Sequence, residues 1–233
     1  MIVLHQFESV FGLPNASPFC MKLETFLKMS GLPYRVEPVR DPGATPKGKA
    51  PFVELDGEPL GDSELIIRRL EEFHGIDLDR GLTPGERAAA HAFCVMLEER
   101  TYFALLHERW IDERNWPIVR DAYLRDLPPP VQDGIRERTR GRLAGQGMGA
   151  HRQEEIQALA ISDIDAVADW LGEMPFFMGG SPTRADCTVH AFVCNLLGGP
   201  FTTPLRDAAR RHANLVAYDA RMLDRFWRRA AAA

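Results

Sequence analysis

Cysteine is scarce, with four residues (Cys20, Cys94, Cys187 and Cys194) in a chain of 233 and no CxxC pair among them. That excludes a disulfide-stapled small domain and a two-cysteine redox loop, and it fits a reducing compartment. Positive charge is also in deficit. Lys and Arg number 28 against 33 Asp and Glu, a formal charge of −5, so no global field attracts a polyanion and nucleic acid is not expected as a partner. No apolar run is long enough to cross a bilayer, so no membrane partner is expected. Met1 stands directly before the apolar Ile2-Val3-Leu4 with no basic leader, and the expectation is a cytoplasmic protein. The Ala- and Arg-rich composition points to a bacterial source.

What is present is enough chain for two small domains, organised around Asn15-Ala16-Ser17-Pro18-Phe19-Cys20-Met21-Lys22. Ser17 fits a helix N-cap and Pro18 the first helical position, where a missing N–H costs nothing. The free N–H groups and positive dipole of such a helix end suit an anion. Ser17 then has two readings: a cap alone, or a cap whose hydroxyl also holds a thiolate.

Taken in order, Ile2 to Phe7 reads as a strand, Gly12 to Asn15 as a loop, and Phe19, Leu23, Phe26 and Leu27 as a helical stripe closed by Gly31. Tyr34 to Val39 is a second strand, and this βαβ order implies a right-handed crossover with parallel pairing. Asp56-Gly57 is a hairpin signal between two further strands. Pro51 opens the first of them, at a strand start or in a tight turn, where a cis bond is admissible. Asp62-Ser63 opens a helix whose buried face reads as Leu65, Ile66, Ile67, Leu70 and Phe73, stopped by Gly75. Strand, helix, strand, then hairpin and helix, describes a thioredoxin-like unit.

Gly75 to Leu82 reads as a linker, and Thr83-Pro84-Gly85-Glu86 as a capping box opening a long helix. Its apolar stripe reads Ala89, Phe93, Met96, Phe103, Leu106, Trp110. The remainder is helical. Arg109 to Pro117 reads as a turn region, Leu127 to Pro130 as a break, Gly145 to Gly149 as a hinge, and Glu154 to Leu171 as an amphipathic helix. Thr183 and Asp186 form a second box before a helix apolar nearly all round, which belongs inside a bundle.

Cys187, His190 and Cys194 share one face of that helix, but the first and last are roughly 10 Å apart along the axis. That is too far for one ion, so packing is the reading and no metal is expected. Gly145-x-Gly-x-Gly follows no strand and fails the context of a dinucleotide loop. Arg136 to Arg142 reads as a solvated basic face.

Ser-Pro-Phe-Cys at the first helix, Lys-Ala-Pro before the hairpin, Asp-Ser at the next helix and Gly-x-x-Thr-x-x-Asp before the buried one resemble the glutathione transferase superfamily. The likeness is nearest to its failed-axon-connections and metaxin-like branch, through Ser17 to Thr25, Trp110-Ile111-Asp112 and Asn214 to Tyr218. It implies an α/β thioredoxin-like N-terminal domain over residues 1–75 and an all-α C-terminal bundle over residues 83–229. By the same likeness the chain is a transferase with glutathione as substrate, no metal, a homodimeric state and a small electrophile as second substrate. Asp62 and Ser63 would take the γ-glutamyl end, and the backbone of Ala50 before Pro51 the cysteinyl residue. Lys49, with Lys47 beside it, would meet the glycyl carboxylate. Ser17 would donate to the sulfur, with Asn15 as the alternative contact. Phe19 and Trp110, with Tyr102 and Leu106, would wall the second-substrate pocket.

Three positions depart from the family pattern. Ala50 stands where a β-branched residue is usual, Asp62 where Glu is common, and Ser17 is not Cys, which argues against a mixed-disulfide mechanism. Cys20 is expected in the core. Two other functions remain open: a metaxin-like binding or assembly protein without turnover, and a glutathione-dependent reductase using Cys20, which needs that thiol exposed with a lowered pKa. Arg228-Arg229 followed by four Ala cannot form a membrane anchor.

Overall fold

The structure, a computed structural model, describes residues 1–228; the expectation for Arg229 and the alanines after it lies outside them. The sheet has four strands in the order β2-β1-β3-β4: β1 (Ile2–Gln6), β2 (Tyr34–Pro38), β3 (Phe52–Leu55) and β4 (Glu58–Gly61). β1 pairs parallel with β2, as the crossover through α1 (Pro18–Ser30) demands. β3 runs antiparallel to β1, and β4 to β3. Asp56 and Gly57 have φ of 53° and 92°, the left-handed pair that a two-residue hairpin uses. The Ala50–Pro51 bond is cis.

α1 is the core of this half. Cys20, Met21, Leu23, Phe26 and Leu27 are all fully buried, each large apolar side chain contributing about 1.5–3 kcal/mol. α2 (Ser63–His74) corrects the expected face. Ser63, Ile66, Ile67 and Leu70 are buried, while Leu65 and Phe73 are 46% and 66% exposed. The helical period accounts for Leu65: positions i, i+3, i+4 and i+7 share one side, and Leu65 falls opposite them, whereas Phe73 keeps the phase of Ile66 but stands in the last turn of the helix.

The helical half starts with α3 (Pro84–Met96), capped by the Thr83–Glu86 box, and continues through a π-helical turn, Leu97–Thr101, into α4 (Tyr102–Trp110). The buried stripe departs from the expected one on both sides of that turn. The buried positions are Ala90, Leu97, Thr101, Ala104, Leu105, Leu106, Glu108 and Arg109, whereas Phe93, Met96, Phe103 and Trp110 are only partly buried. Arg100 forks onto the buried Asp163, and Thr101 donates to the same carboxylate at 2.8 Å. α5 (Trp116–Tyr123), α6 (Pro129–Gln146) and α7 (Gln153–Leu171) follow. The expected glycine hinge is the end of α6: Gly147 caps it at φ 104°. A Cβ on Gly149 would lie 2.8 Å from the Ala144 backbone, so this stretch is a close approach rather than a joint.

α8 (Arg184–Leu197) is buried at nearly every position, as its all-round apolar pattern requires, and packs against α1. Asp186 closes the second box on Thr183 and also accepts from the Phe177 N–H (2.9 Å) and the Tyr218 hydroxyl (2.9 Å). α9 (Pro204–Arg211) and α10 (Ala213–Phe226) complete the bundle. No helix among the described residues is long and apolar enough to cross a membrane.

The two halves are joined by a buried ionic clasp. Lys22 on α1, 4% exposed at its side chain, reaches Glu64 on α2 at 3.1 Å and Glu98 in the π turn at 2.7 Å. Arg184, opening α8, adds bonds to Glu64 (2.7 Å) and Glu71 (3.2 Å).

Candidate functional site

Strand register decides which of the expected residues meet. His5 on β1 faces Phe52 on β3, and Phe52 faces Gly61 on β4. The exit of β1, the entry of β3 at Ala50-Pro51 and the exit of β4 into α2 therefore share one end of the sheet. The N-terminus of α1 is tied to that end, since Asn15 Nδ2 donates to the Phe7 carbonyl at 2.8 Å. Two helix N-termini and a strand start thus converge, the arrangement in which open α/β sheets hold small ligands.

At α1, Ser17 caps the helix: its Oγ accepts from the Cys20 N–H at 3.4 Å. A hydroxyl has two lone pairs and one proton, so this long bond leaves its proton to donate. Ser17 is half-buried and reachable. Asn15 is not; it is fully buried, and its Oδ1 accepts from the Ser17 N–H at 2.9 Å. With both ends of its amide engaged, Asn15 braces the loop, and the alternative sulfur contact is dropped.

Cys20 is fully buried, and burial pushes its thiol up to about 11. A reductase cysteine needs the opposite on both counts, so that reading is corrected.

At α2, Asp62 is the N-cap, and its Oδ1 accepts from the Glu64 and Leu65 N–H groups at 3.1 and 3.3 Å. One carboxylate oxygen is committed to the helix, which leaves the other for a ligand. Its φ is +89°, a costly conformation for a residue with a Cβ and one that concentrates at functional sites. Ser63 follows, 6% exposed, at the first position of the helix. Lys47 lays its stem over Gly61, where a Cβ would come within 3.2 Å of Lys47 Cγ. Lys49 is exposed, and its carbonyl accepts from Thr45 Oγ1 at 2.8 Å.

The expected wall residues divide. The Phe19 ring meets Tyr102 edge-on with centroids 4.9 Å apart. Trp110 stacks on Tyr123 at 6.3 Å, and Tyr123 in turn meets Phe11. Phe19 and Trp110 share no ring partner, and Leu106 is core. A groove of about 550 Å³ lies elsewhere, on the face formed by β3, β4 and α2, with Leu65 and Phe73 in its wall.

Two residues that carry the Ser17 loop escaped the sequence reading. Arg109 Nη1 donates to the Ala16 carbonyl at 2.8 Å and to Asn195 Oδ1 at 3.1 Å, and Nη2 to the Asn195 carbonyl at 2.7 Å. Asn195 Nδ2 donates to the Asn15 carbonyl at 3.1 Å. The peptide before Ser17 is thereby mounted on α4 and α8. Arg109 is 6% exposed, no carboxylate pairs with it among the described residues, and burial brings its guanidinium down to about 10. The guanidinium also lies 4.8 Å from the Phe201 ring centroid. The available signal was a charge beside Trp110 in an aromatic stripe, and an amide in a helix otherwise apolar. Next to it, Glu108 is fully buried, and burial pushes its carboxyl up to about 7, against smaller lowering by Thr203 and the Leu205 backbone.

Residues 18–115 match the family model described as the glutathione S-transferase N-terminal domain, and residues 160–222 the glutathione S-transferase C-terminal domain. The failed axon connections protein of Drosophila melanogaster is 31% identical over 97% of this chain, which spans 58% of that protein. The isoprene-epoxide–glutathione S-transferase of Rhodococcus sp. (strain AD45) is 29% identical over 86% of this chain and 88% of its own. Metaxins are further relatives. Among solved structures, a glutathione transferase from Phanerochaete chrysosporium superposes with a TM-score of 0.66 at 18% identity, covering 98% of both chains. The family models span both halves of the fold, and the chain belongs to the glutathione transferase superfamily.

Proposed function

We propose that the protein is a glutathione transferase that adds the glutathione thiolate to a small electrophile, with Ser17 as the catalytic hydroxyl. The carrying observation is the convergence of the α1 N-terminus, Ala50-Pro51 and the α2 N-terminus at one sheet end. Glutathione has a carboxylate at each end, a thiol between them and one α-amino group. In this reading the Ser63 hydroxyl and the Ser63 N–H at the start of α2 bind the γ-glutamyl carboxylate, and the free oxygen of Asp62 takes the amine. Ala50, its carbonyl and N–H set beside the cis bond to Pro51, pairs with the cysteinyl backbone as a strand would. Lys49, with Lys47 near it, meets the glycyl carboxylate.

Serine is too weak an acid to be the base. Its hydroxyl donates to the sulfur, and with the dipole of α1 it favours S⁻ over SH, so the thiol proton leaves to solvent at neutral pH. The sulfur then forms a bond to the electrophilic carbon. A leaving group departs with its electron pair, or a strained C–O bond opens and its oxygen takes up a proton. Epoxides head the substrate panel because one relative is named for an isoprene epoxide. Phe19 and Trp110 flank the second substrate. A homodimer in the cytoplasm completes the proposal; the exposed Leu65 and Phe73 beside the 550 Å³ groove offer an apolar face for a second copy.

A second reading stands beside it, in which the same site binds without turnover, since the failed-axon and metaxin relatives carry no transferase name. Calorimetry with glutathione, followed by an epoxide and haloalkane panel, separates the two. Transferase function requires saturable binding that weakens at least roughly tenfold in Ser63→Ala, given charge-assisted bonds of 1.5–3 kcal/mol, and conjugate formation above the uncatalysed rate. Binding without conjugation supports the second reading, and no binding refutes both.

A further inference from the structure

α8 and α10 bring together three side chains that the glutathione site does not use. His190 and Cys194 are four residues apart on one face of α8. The sequence offered Cys187 as their third partner, one helical turn too far. The structure replaces it with Asp219 from α10. The His190, Cys194 and Asp219 ligand atoms lie within 4.8 Å of one another, the one such set among the described residues. His190 Nε2 is already 3.1 Å from Asp219 Oδ1.

A second observation marks the same corner as incomplete. His190 Nδ1 is buried without a hydrogen-bond partner. Buried polar atoms are rarely left so unless a water or an ion belongs beside them.

We propose that His190, Cys194 and Asp219 form a binding site for one borderline divalent cation of the Zn²⁺ type. The donor set is nitrogen, sulfur and oxygen, which suits Zn²⁺ and excludes the oxygen-seeking Mg²⁺ and Ca²⁺. Tetrahedral ligands at Zn²⁺ bond lengths stand roughly 3.3–3.8 Å apart. The His190–Asp219 pair, now at 3.1 Å, is slightly tighter than that and would open by a few tenths of an ångström, while Cys194, within 4.8 Å of both, adjusts through its χ1 rotor. A thiolate and a carboxylate balance the dication, so the filled site is neutral where a lone buried charge would be costly. On binding, the thiol proton of Cys194 is released to solvent and a sulfur–metal bond replaces the S–H bond. Asp219, 15% exposed, gives the route in and leaves a fourth position for water. The ion would staple α8 to α10 one residue from Asn195, which holds the Ser17 loop. This proposal stands without the transferase reading.

The test uses the full untagged chain, reduced and freed of metal, titrated with Co²⁺ and then with Zn²⁺. One equivalent of Co²⁺ is expected to give tetrahedral visible bands with a thiolate-to-cobalt charge-transfer band, bleached by Zn²⁺. Cys194→Ser should abolish the charge-transfer band and weaken Co²⁺ binding at least roughly tenfold, whereas Cys187→Ser should leave both intact. Asp219→Asn should weaken binding while keeping the charge-transfer band. A wild-type chain with no charge-transfer band at stoichiometric Co²⁺, or a band that survives Cys194→Ser, overturns the proposal. Should Cys194→Ser fail to fold, Asp219→Asn decides, because affinity unchanged in that variant also overturns it.

Discussion

The two helix N-termini that meet at the sheet end are held in opposite ways. The α2 end holds itself: Asp62 caps its own helix through Glu64 and Leu65, exposed to solvent, at a left-handed φ. The α1 end is held from outside, because Arg109, 93 residues beyond Ala16, and Asn195, 180 residues beyond Asn15, grip the Ala16 and Asn15 carbonyls from the helical bundle. A mount made of one residue's own cap tolerates change and can yield to a ligand. One made by a buried guanidinium is rigid, and it makes the geometry of Ser17 a property of the bundle.

Breaking the outside mount should have the largest effect. Arg109→Ala strips donors from Ala16 O, Asn195 O and Asn195 Oδ1 in a dry interior, and we expect a loss of about 3–5 kcal/mol, read from the denaturant midpoint at unchanged m. Glutathione affinity should fall with it. Lys22→Met should cost about 3 kcal/mol, because Glu64 and Glu98 lose their shared buried cation. It should also change the acid limb of the stability curve. Burial alone would raise the Glu64 carboxyl, but the Lys22 ammonium and the Arg184 guanidinium overcome it and hold the group down to about 2, against the usual 4.5. The folded pKa is depressed, so its contribution is whole above 4.5 and is lost as pH falls toward 2. Lys22→Met should flatten that loss.

Glu108 runs the other way. Its folded pKa of about 7 lies above the usual 4.5, so the folded state holds the proton longer and stability declines as pH rises from 4.5 to 7. Glu108→Gln should remove the decline, and stability at pH 8 should exceed wild type by up to about 3 kcal/mol. Smallest is the self-held end. Asp62→Ala, losing a cap and placing a methyl at positive φ, should cost about 1–2 kcal/mol, and Asp62→Asn less than about 0.5 kcal/mol, since Asn caps as well and tolerates that φ. Thermal melts of the pair would show the gap between these variants and Arg109→Ala.

The same contrast explains what could be read in the sequence. The Thr83–Glu86 and Thr183–Asp186 boxes, the Asp56-Gly57 hairpin, the Gly31 and Gly75 stops and the N-cap at Ser17 are local chemistry, spelled within four residues, and each stands where the pattern places it. The element order followed from them, and the fold from the order. The phase of the long helix did not, because alanines and aromatics on two adjoining faces allow either stripe: burial follows Ala90 and Leu97 rather than Ala89, Phe93 and Met96, and the π turn at Leu97–Thr101 that follows has no sequence mark. Leu65 and Phe73 misled because apolar residues also line grooves. At the site, Ser17, Ala50-Pro51 and Asp62-Ser63 were legible as helix and strand starts. Arg109, Asn195 and the Lys22 clasp were not, since their partners come from distant elements and neither a buried Arg nor an Asn in a helix announces what it will bind.

The central claim is that the Ser17 hydroxyl stabilises a thiolate at the α1 N-terminus, and the ultraviolet absorbance of bound glutathione against pH tests it directly. With wild type, the thiolate signal should rise with a midpoint at least roughly one pH unit below that of free glutathione, the shift expected of a charge-assisted hydrogen bond. With Ser17→Ala, binding should persist and the midpoint should return toward that of free glutathione. A midpoint that is the same in Ser17→Ala as in wild type, with glutathione bound to both, would contradict the account and leave Ser17 a helix cap alone.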